Sequence, residues 1–127
     1  MSTKYKTTLA VLVGIAVGAA AMQGLHAQAK PKAYTVSELE TLDTAANTAF
    51  VPVVRAAQKA AGGRSLLTGG GKIVALEGAA PKRVAITEWD SLEQAEAFYK
   101  SKAFNDLAPQ RDKAQKVIRR YAVEVMN

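Results

Sequence analysis

Between Arg83 and Ser101 the sequence reads RVAITEWDSLEQAEAFYKS, a period-two stretch that passes almost at once into a period-3.6 stretch. Val84, Ile86 and Glu88 share one face of the strand this predicts, and Ala85, Thr87 and Trp89 share the other, so a carboxylate stands in line with apolar residues. Asp90 or Ser91 then serves as N-cap, with Glu93 or Gln94 three residues on, ahead of the stripe Leu92, Ala95, Phe98 and Tyr99. A strand delivered directly into a capped helix has to lay that helix back on a sheet, and this restricts the folds open to the rest of the chain.

The remaining segments supply that sheet. AYTVSEL alternates with Tyr34, Val36 and Glu38 on one side and predicts a first strand. From Asp43 to Ala61, apolar residues recur at helical spacing, Gly62-Gly63 supply the stop, and Pro52 is expected to kink or restart the helix. RSLLT and KIVALEG read as two strand segments around Gly69-Gly70-Gly71. A shorter helical piece runs from Ala103 toward Asp112, interrupted at Pro109, before VIRRYAVEV gives a last strand with Val117, Arg119, Tyr121, Val123 and Val125 on one face. The order is that of an α+β, ferredoxin-like β-α-β-β-α-β unit, an antiparallel sheet with two helices on one face, its second strand bent or doubled at the glycines. Two helices cover one face, and the valine, leucine and tyrosine on the other call for a partner, so a homodimer with face-to-face sheets is expected.

Ahead of this domain, Lys4 and Lys6 precede an uncharged apolar run from about Leu9 to Met22, followed by Ala27-Gln28-Ala29 as a small-x-small cleavage site. These are the parts of a signal peptide over residues 1–29, with the domain over 30–127, a periplasmic or secreted location and no stable membrane anchor after cleavage. The apolar run is shorter than the roughly 20 residues of a spanning helix, and no cysteine follows it to carry a lipid. Without Lys4 and Lys6, the 17 basic and 11 acidic residues of the whole chain become a net charge of +4. Those charges are dispersed with no aromatic-interleaved basic patch, so no nucleic-acid partner is expected. The chain has no cysteine, and its single histidine, His26, falls in the leader. Removal of the leader takes away Cys or Ser-His nucleophiles, thiolate or imidazole metal sites and histidine-ligated haem; neither metal nor cofactor is expected, and acid-base chemistry falls to Asp, Glu, Lys or Tyr.

The glycine-rich stretch GGRSLLTGGGK invites comparison with a phosphate loop. Counting back from Gly71-Lys72 puts Leu66 where the first glycine belongs, and Ile73 follows the lysine, so both ends fail. The glycines read instead as backbone punctuation with positive φ, ending a helix at 62–63 and making a bulge or tight turn at 69–71. Arg64 then either holds an anionic ligand or pairs with Glu88 or Asp90 across the sheet. Glu88 is either a general base raised by burial or an inert acceptor for Arg64 or Arg111.

GGRSLLTGG, LEG, VAITEWDSLEQAEAFYKSKAF and the downstream Arg111 resemble, in order and spacing, the family called domain of unknown function 1330, within the dimeric α/β-barrel superfamily, over about Ala33 to Val125. The resemblance implies a ferredoxin-like, usually dimeric subunit with a pocket between sheet and helices, and no established activity. It carries the family's recurrent polar positions onto Arg64, Glu88, Tyr99, Ser101 and Arg111 as ligand-binding candidates. Ser65 stands where an aromatic is common and Phe104 where a tyrosine is common, so phenol hydrogen bonds are not expected at either. Three functions follow as expectations: binding of a small polar or carboxylated molecule in the pocket; a non-catalytic structural or stress-related dimer held by a salt-bridge network; and, from the superfamily alone, a cofactor-free monooxygenase with Glu88 as the catalytic candidate.

Overall fold

Alternation in the first strand decides which face of the sheet is covered. β1 (Ala33–Thr41) buries Ala33, Thr35, Ser37 and Leu39 and leaves Tyr34, Val36 and Glu38 half-buried on the opposite face. The computed structural model describes residues 30–126, and the leader read over 1–29 lies outside the described residues.

α1 (Thr44–Ala60) starts at Asp43, whose Oδ2 accepts the Ala46 N–H at 2.7 Å. It runs unbroken through Pro52 rather than restarting there, and buries Phe50. Its end is a Schellman turn: the Gly63 N–H reaches the Gln58 carbonyl at 2.8 Å and the Gly62 N–H reaches Lys59 at 3.0 Å, with Gly62 at φ 93°. Gly63 is required for a different reason. A Cβ there would stand 2.8 Å from the Trp89 ring, so this glycine is fixed by packing and not by positive φ.

β2 is only Arg64–Ser65. The expected RSLLT strand stops because Leu67 takes φ 58°, a left-handed conformation no strand can pass through. KIVALEG forms no strand either, and Val74 and Leu76 are exposed. The edge it would have joined is already bonded: the Leu66 N–H reaches Ile86 O at 2.9 Å, and the Thr68 hydroxyl donates to Val84 O at 2.7 Å while accepting the Ile86 N–H at 3.2 Å. Gly69–Gly71 make a tight turn closed by Gly71 N–H to Thr68 O at 3.0 Å, without the positive φ expected of them.

β3 (Arg83–Trp89) passes into α2 (Leu92–Tyr99), with Ser91 as N-cap accepting the Gln94 N–H at 3.1 Å. The Gln94 side chain accepts from Asp90 N and donates to Ala61 O, tying the start of α2 to the end of α1. α3 (Lys102–Asn105) is capped by Ser101, and α4 (Ala108–Ala114) carries Pro109 in its first turn, where the proline is tolerated instead of interrupting the helix.

β4 (Gln115–Glu124) completes a four-stranded antiparallel sheet in the order β2-β3-β1-β4, consistent with the ferredoxin-like connectivity. Its register slips between Glu38 and Leu39: Arg119 faces Glu38, Val117 faces Leu39, and Ile118 is the extra residue of a bulge. The slip moves Val117 off the face it was expected to share with Arg119, Tyr121 and Val123.

The helices cover the β1 face that carries Thr35 and Ser37. Trp89, Ala95, Phe98 and Phe104 form the core there, with Val54, Ala57, Ala61 and Tyr99 packed against it. Each large apolar side chain taken out of water contributes about 1.5–3 kcal/mol. Trp89 is fully buried, and its indole N–H donates to the Thr35 hydroxyl at 3.0 Å, so the ring satisfies its polar atom inside the core. On the uncovered face stand Tyr34, Val36, Val84, Ile86, Tyr121 and Val123.

Candidate functional site

Strand parity divides the five sequence candidates. Glu88 pairs across β1 with Tyr34 and across β2 with Arg64, so both lie on the uncovered face and not between sheet and helices. There the Glu88 carboxylate accepts the Tyr34 hydroxyl at 2.7 Å and the Arg64 Nε–H at 2.9 Å, and Lys32 Nζ stands at 3.3 Å. Arg64 also reaches Asp90 Oδ1 at 2.9 Å. The Tyr34 hydrogen bond, then those from Arg64 and Lys32, hold the Glu88 pKa down at about 2. A carboxylate so held is an acceptor that stays ionised, the opposite of the raised value a general base needs. Its partner is Arg64; Arg111 does not reach it.

Tyr99 lies on the covered face. Its hydroxyl is 3.4 Å from Thr35 Oγ1 and 3.5 Å from Gln58 Nε2. Ser101 donates to Phe98 O at 2.6 Å and accepts from Phe104 N, so both hydroxyl functions are spent on joining α2 to α3. Arg111, on α4, lies 5.2 Å over the Phe104 ring with its Nε 3.3 Å from Asp112. The structure therefore brings Arg64 and Glu88 together and leaves Tyr99, Ser101 and Arg111 apart from them.

Between sheet and helices is a cavity of about 50 Å³. Leu39, Phe50, Val54 and Phe104 give it an apolar wall, while Ser37, Ser65, Gln58 and Tyr99 give polar groups; three arginines, Arg55, Arg83 and Arg120, line it with no Asp or Glu. Arg83 and Arg120 come from the two strands flanking β1, paired with Leu39 and Ser37 respectively, so their side chains straddle β1 on its covered face.

The hydrogen bonds of these arginines go to neutral groups. Arg83 donates from Nε to Gly69 O at 3.1 Å and from Nη1 to Asn47 Oδ1 at 3.1 Å and Gln115 Oε1 at 3.3 Å. Arg120 donates from Nε to Ser37 Oγ at 2.8 Å and stacks over Tyr99 at 4.8 Å and Phe104 at 5.3 Å. Among the described residues neither meets a carboxylate, whereas Arg64 and Arg119 both do. Burial lowers the pKa of Arg83, with Arg55 adding to the effect, and burial likewise lowers that of Arg120 with a contribution from Arg111. Two half-buried guanidiniums without counter-ions make a site that favours negative charge.

Neither arginine was among the sequence candidates. Arg83 shares its parity with Ala85, Thr87 and Trp89, which already marked it as a core-facing cation; Arg120 shares its parity with Ala122, but simple alternation sets Val117 on the opposite face, and only the bulge at Ile118 brings Val117 to the covered side with them. Among the described residues no group of His, Cys, Asp or Glu is placed to hold a metal ion, and no helix is long and apolar enough to cross a membrane.

Comparison with known proteins places this geometry. The family model described as Domain of unknown function (DUF1330) matches residues 32–126. No curated protein matches the chain. Among solved structures, the methylated RPA0582 protein is similar with a TM-score of 0.55 and 10% identity, over 84% of this chain and 90% of that one. RPA0582, described as a protein of unknown function from Rhodopseudomonas palustris, is similar with a TM-score of 0.54 and 11% identity, over 84% and 92%. At such identities the likeness is one of fold.

Proposed function

The chain belongs to the family of domain of unknown function 1330, and we propose that this member is an exported, homodimeric domain that binds a small polar or carboxylated molecule in the cavity between its sheet and helices. One observation carries the binding reading: Arg55, Arg83 and Arg120 line that cavity and no acidic side chain does. An anion entering it would supply the counter-charge that Arg83 and Arg120 lack, and charge-assisted hydrogen bonds to such a ligand are the strong kind. The leader-like sequence over residues 1–29 supports export. The apolar residues on the uncovered sheet face support pairing of two sheets.

Native mass spectrometry of the protein from its own host reads all three together. The proposal expects a dimer of chains shortened by about the leader, carrying a small anionic adduct that is lost under mild activation. An empty cavity in every preparation, with no binding of added anions, would overturn the binding reading.

A structural role for the uncovered face has its own support. Lys32, Tyr34, Arg64, Glu88 and Asp90 bond to one another through their side chains and leave the Glu88 carboxylate saturated with donors. This set fixes the β2 end of the sheet, and the reading assigns it no ligand.

A further inference from the structure

We propose that the ligand of the arginine-lined cavity is a short-chain monocarboxylate of two or three carbons, its carboxylate bridging Arg83 and Arg120 and its hydrocarbon end against Leu39, Phe50 and Val54. The inference rests on the binding reading above and narrows it by three observations: hydrogen-bond type, size and wall chemistry.

The free hydrogen-bonding capacity of the cavity is mostly donor. Among the described residues, Arg83 Nη2 and both terminal nitrogens of Arg120 have no hydrogen-bond partner. Among the described residues no enclosed side-chain nitrogen or oxygen lacks a partner, so these nitrogens open onto accessible space; the cavity is space that both arginines line, and Arg120 also borders two open surface clefts. Ser37, having accepted from Arg120, keeps its own hydroxyl proton to give, and Ser65, having accepted the Leu67 N–H, does the same. A wall of donors selects a ligand that only accepts. An ammonium group would face cations and donors with little to bond to, and an added hydroxyl would accept from them but leave its own proton short of an acceptor.

Size and lining narrow the class further. A water needs about 10–15 Å³ of such space, so 50 Å³ holds about three to five non-hydrogen atoms. Formate, acetate and propionate fit that range; dicarboxylates and aromatic acids do not. The Leu39, Phe50 and Val54 side chains give a methyl or ethyl group an apolar surface, which distinguishes a carboxylate with a tail from formate, nitrate or chloride.

The test uses protein purified from its own host and exhaustively dialysed, titrated calorimetrically with formate, acetate, propionate, glycolate, glycine, succinate and chloride at constant ionic strength. Acetate or propionate should bind at least about tenfold more tightly than glycolate, glycine, succinate or chloride, since each of the latter leaves a charge or polar group unmatched or loses the apolar contact. Arg83→Gln and Arg120→Gln should each weaken acetate by about tenfold or more, and Arg120→Lys, which keeps the charge, should restore part of the loss. Matching far-UV circular dichroism confirms that the variants are folded; Arg64→Gln, on the other face, should bind acetate like the parent. If glycolate, glycine or succinate binds as tightly as acetate and still requires Arg83 and Arg120, the cavity reading stands and the monocarboxylate class falls. Chloride binding equal to acetate also overturns the class. If none of the seven binds, both fall.

Discussion

The Arg120 guanidinium lies 4.8 Å over the Tyr99 ring and bonds through Nε to Ser37, so a cation is clamped against the aromatic core by neutral groups alone. On the other face of the same strand, Arg119 makes a two-pronged pair with Glu38, with both N–O distances at 2.9 Å. Adjacent arginines thus have opposite electrostatic situations, one neutralised and one not.

Replacing Arg120 by Met keeps an unbranched apolar stem against Tyr99 and Phe104 while removing a half-buried charge that no carboxylate offsets. Thermal melting in carboxylate-free buffer should give a midpoint equal to or above that of the parent, while the stabilisation produced by added acetate should disappear. A lower midpoint with the acetate response intact would mean that Arg120 is structural.

Glu88 gives the domain an acid-sensitive contribution. Its folded pKa, about 2, lies below the ordinary 4.5, so its contribution to stability is fully present above about 4.5 and is lost as pH falls toward 2. Melting midpoints measured from pH 6 to pH 2 should fall across that window, and the fall should be shallower in Glu88→Gln. Tyr34, raised above 10.0 mainly by its bond to Glu88, works in the other direction: its contribution is present below about 10 and is lost as pH rises through its folded value.

Gly63→Ala should destabilise the domain by about 1–3 kcal/mol in urea denaturation, because the new methyl group meets the Trp89 ring at 2.8 Å and Thr87 Cγ2 at 3.0 Å. Both neighbours are buried and cannot swing aside. Gly70→Ala, which meets nothing within 4 Å, should lie within about 0.5 kcal/mol of the parent.

Tyr121, 51% exposed in the single chain, and Val123 form part of the uncovered face. Sedimentation velocity at micromolar concentration should give a dimer for the parent and a monomer for Tyr121→Glu, whose charge would be buried between two sheets without a partner. A monomeric parent would remove the dimer from the account.

Much of the fold was legible because alternation and capping are local. The split of Glu88 from Trp89 in β3 and the Ser91 cap of α2 follow from residues a few positions apart. The short β2 was not legible: KIVALEG alternates well enough for a strand, but the Thr68 hydroxyl and the Leu66 N–H had already taken the bonds at the β3 edge, a fact about pairing across the fold. The β4 bulge was hidden in the same way, since nothing in VIRRYAVEV marks Ile118 as the extra residue. The site suffered most. The family pattern drew attention to Arg64 and Glu88, which pair with each other on the uncovered face, whereas Arg83 and Arg120 sit in strands where a lone arginine reads as solvated. Only the parity of Arg83 with Trp89 pointed inward.

The most direct test is to follow the arginine Nε–H signals by heteronuclear NMR while acetate is added at constant ionic strength. The account predicts that the Arg83 and Arg120 signals shift together and saturate with one dissociation constant, while Arg64 and Arg119, already paired with carboxylates, stay still. Shifts confined to Arg64 or Arg119, or small unsaturating shifts spread over all arginines, would contradict it.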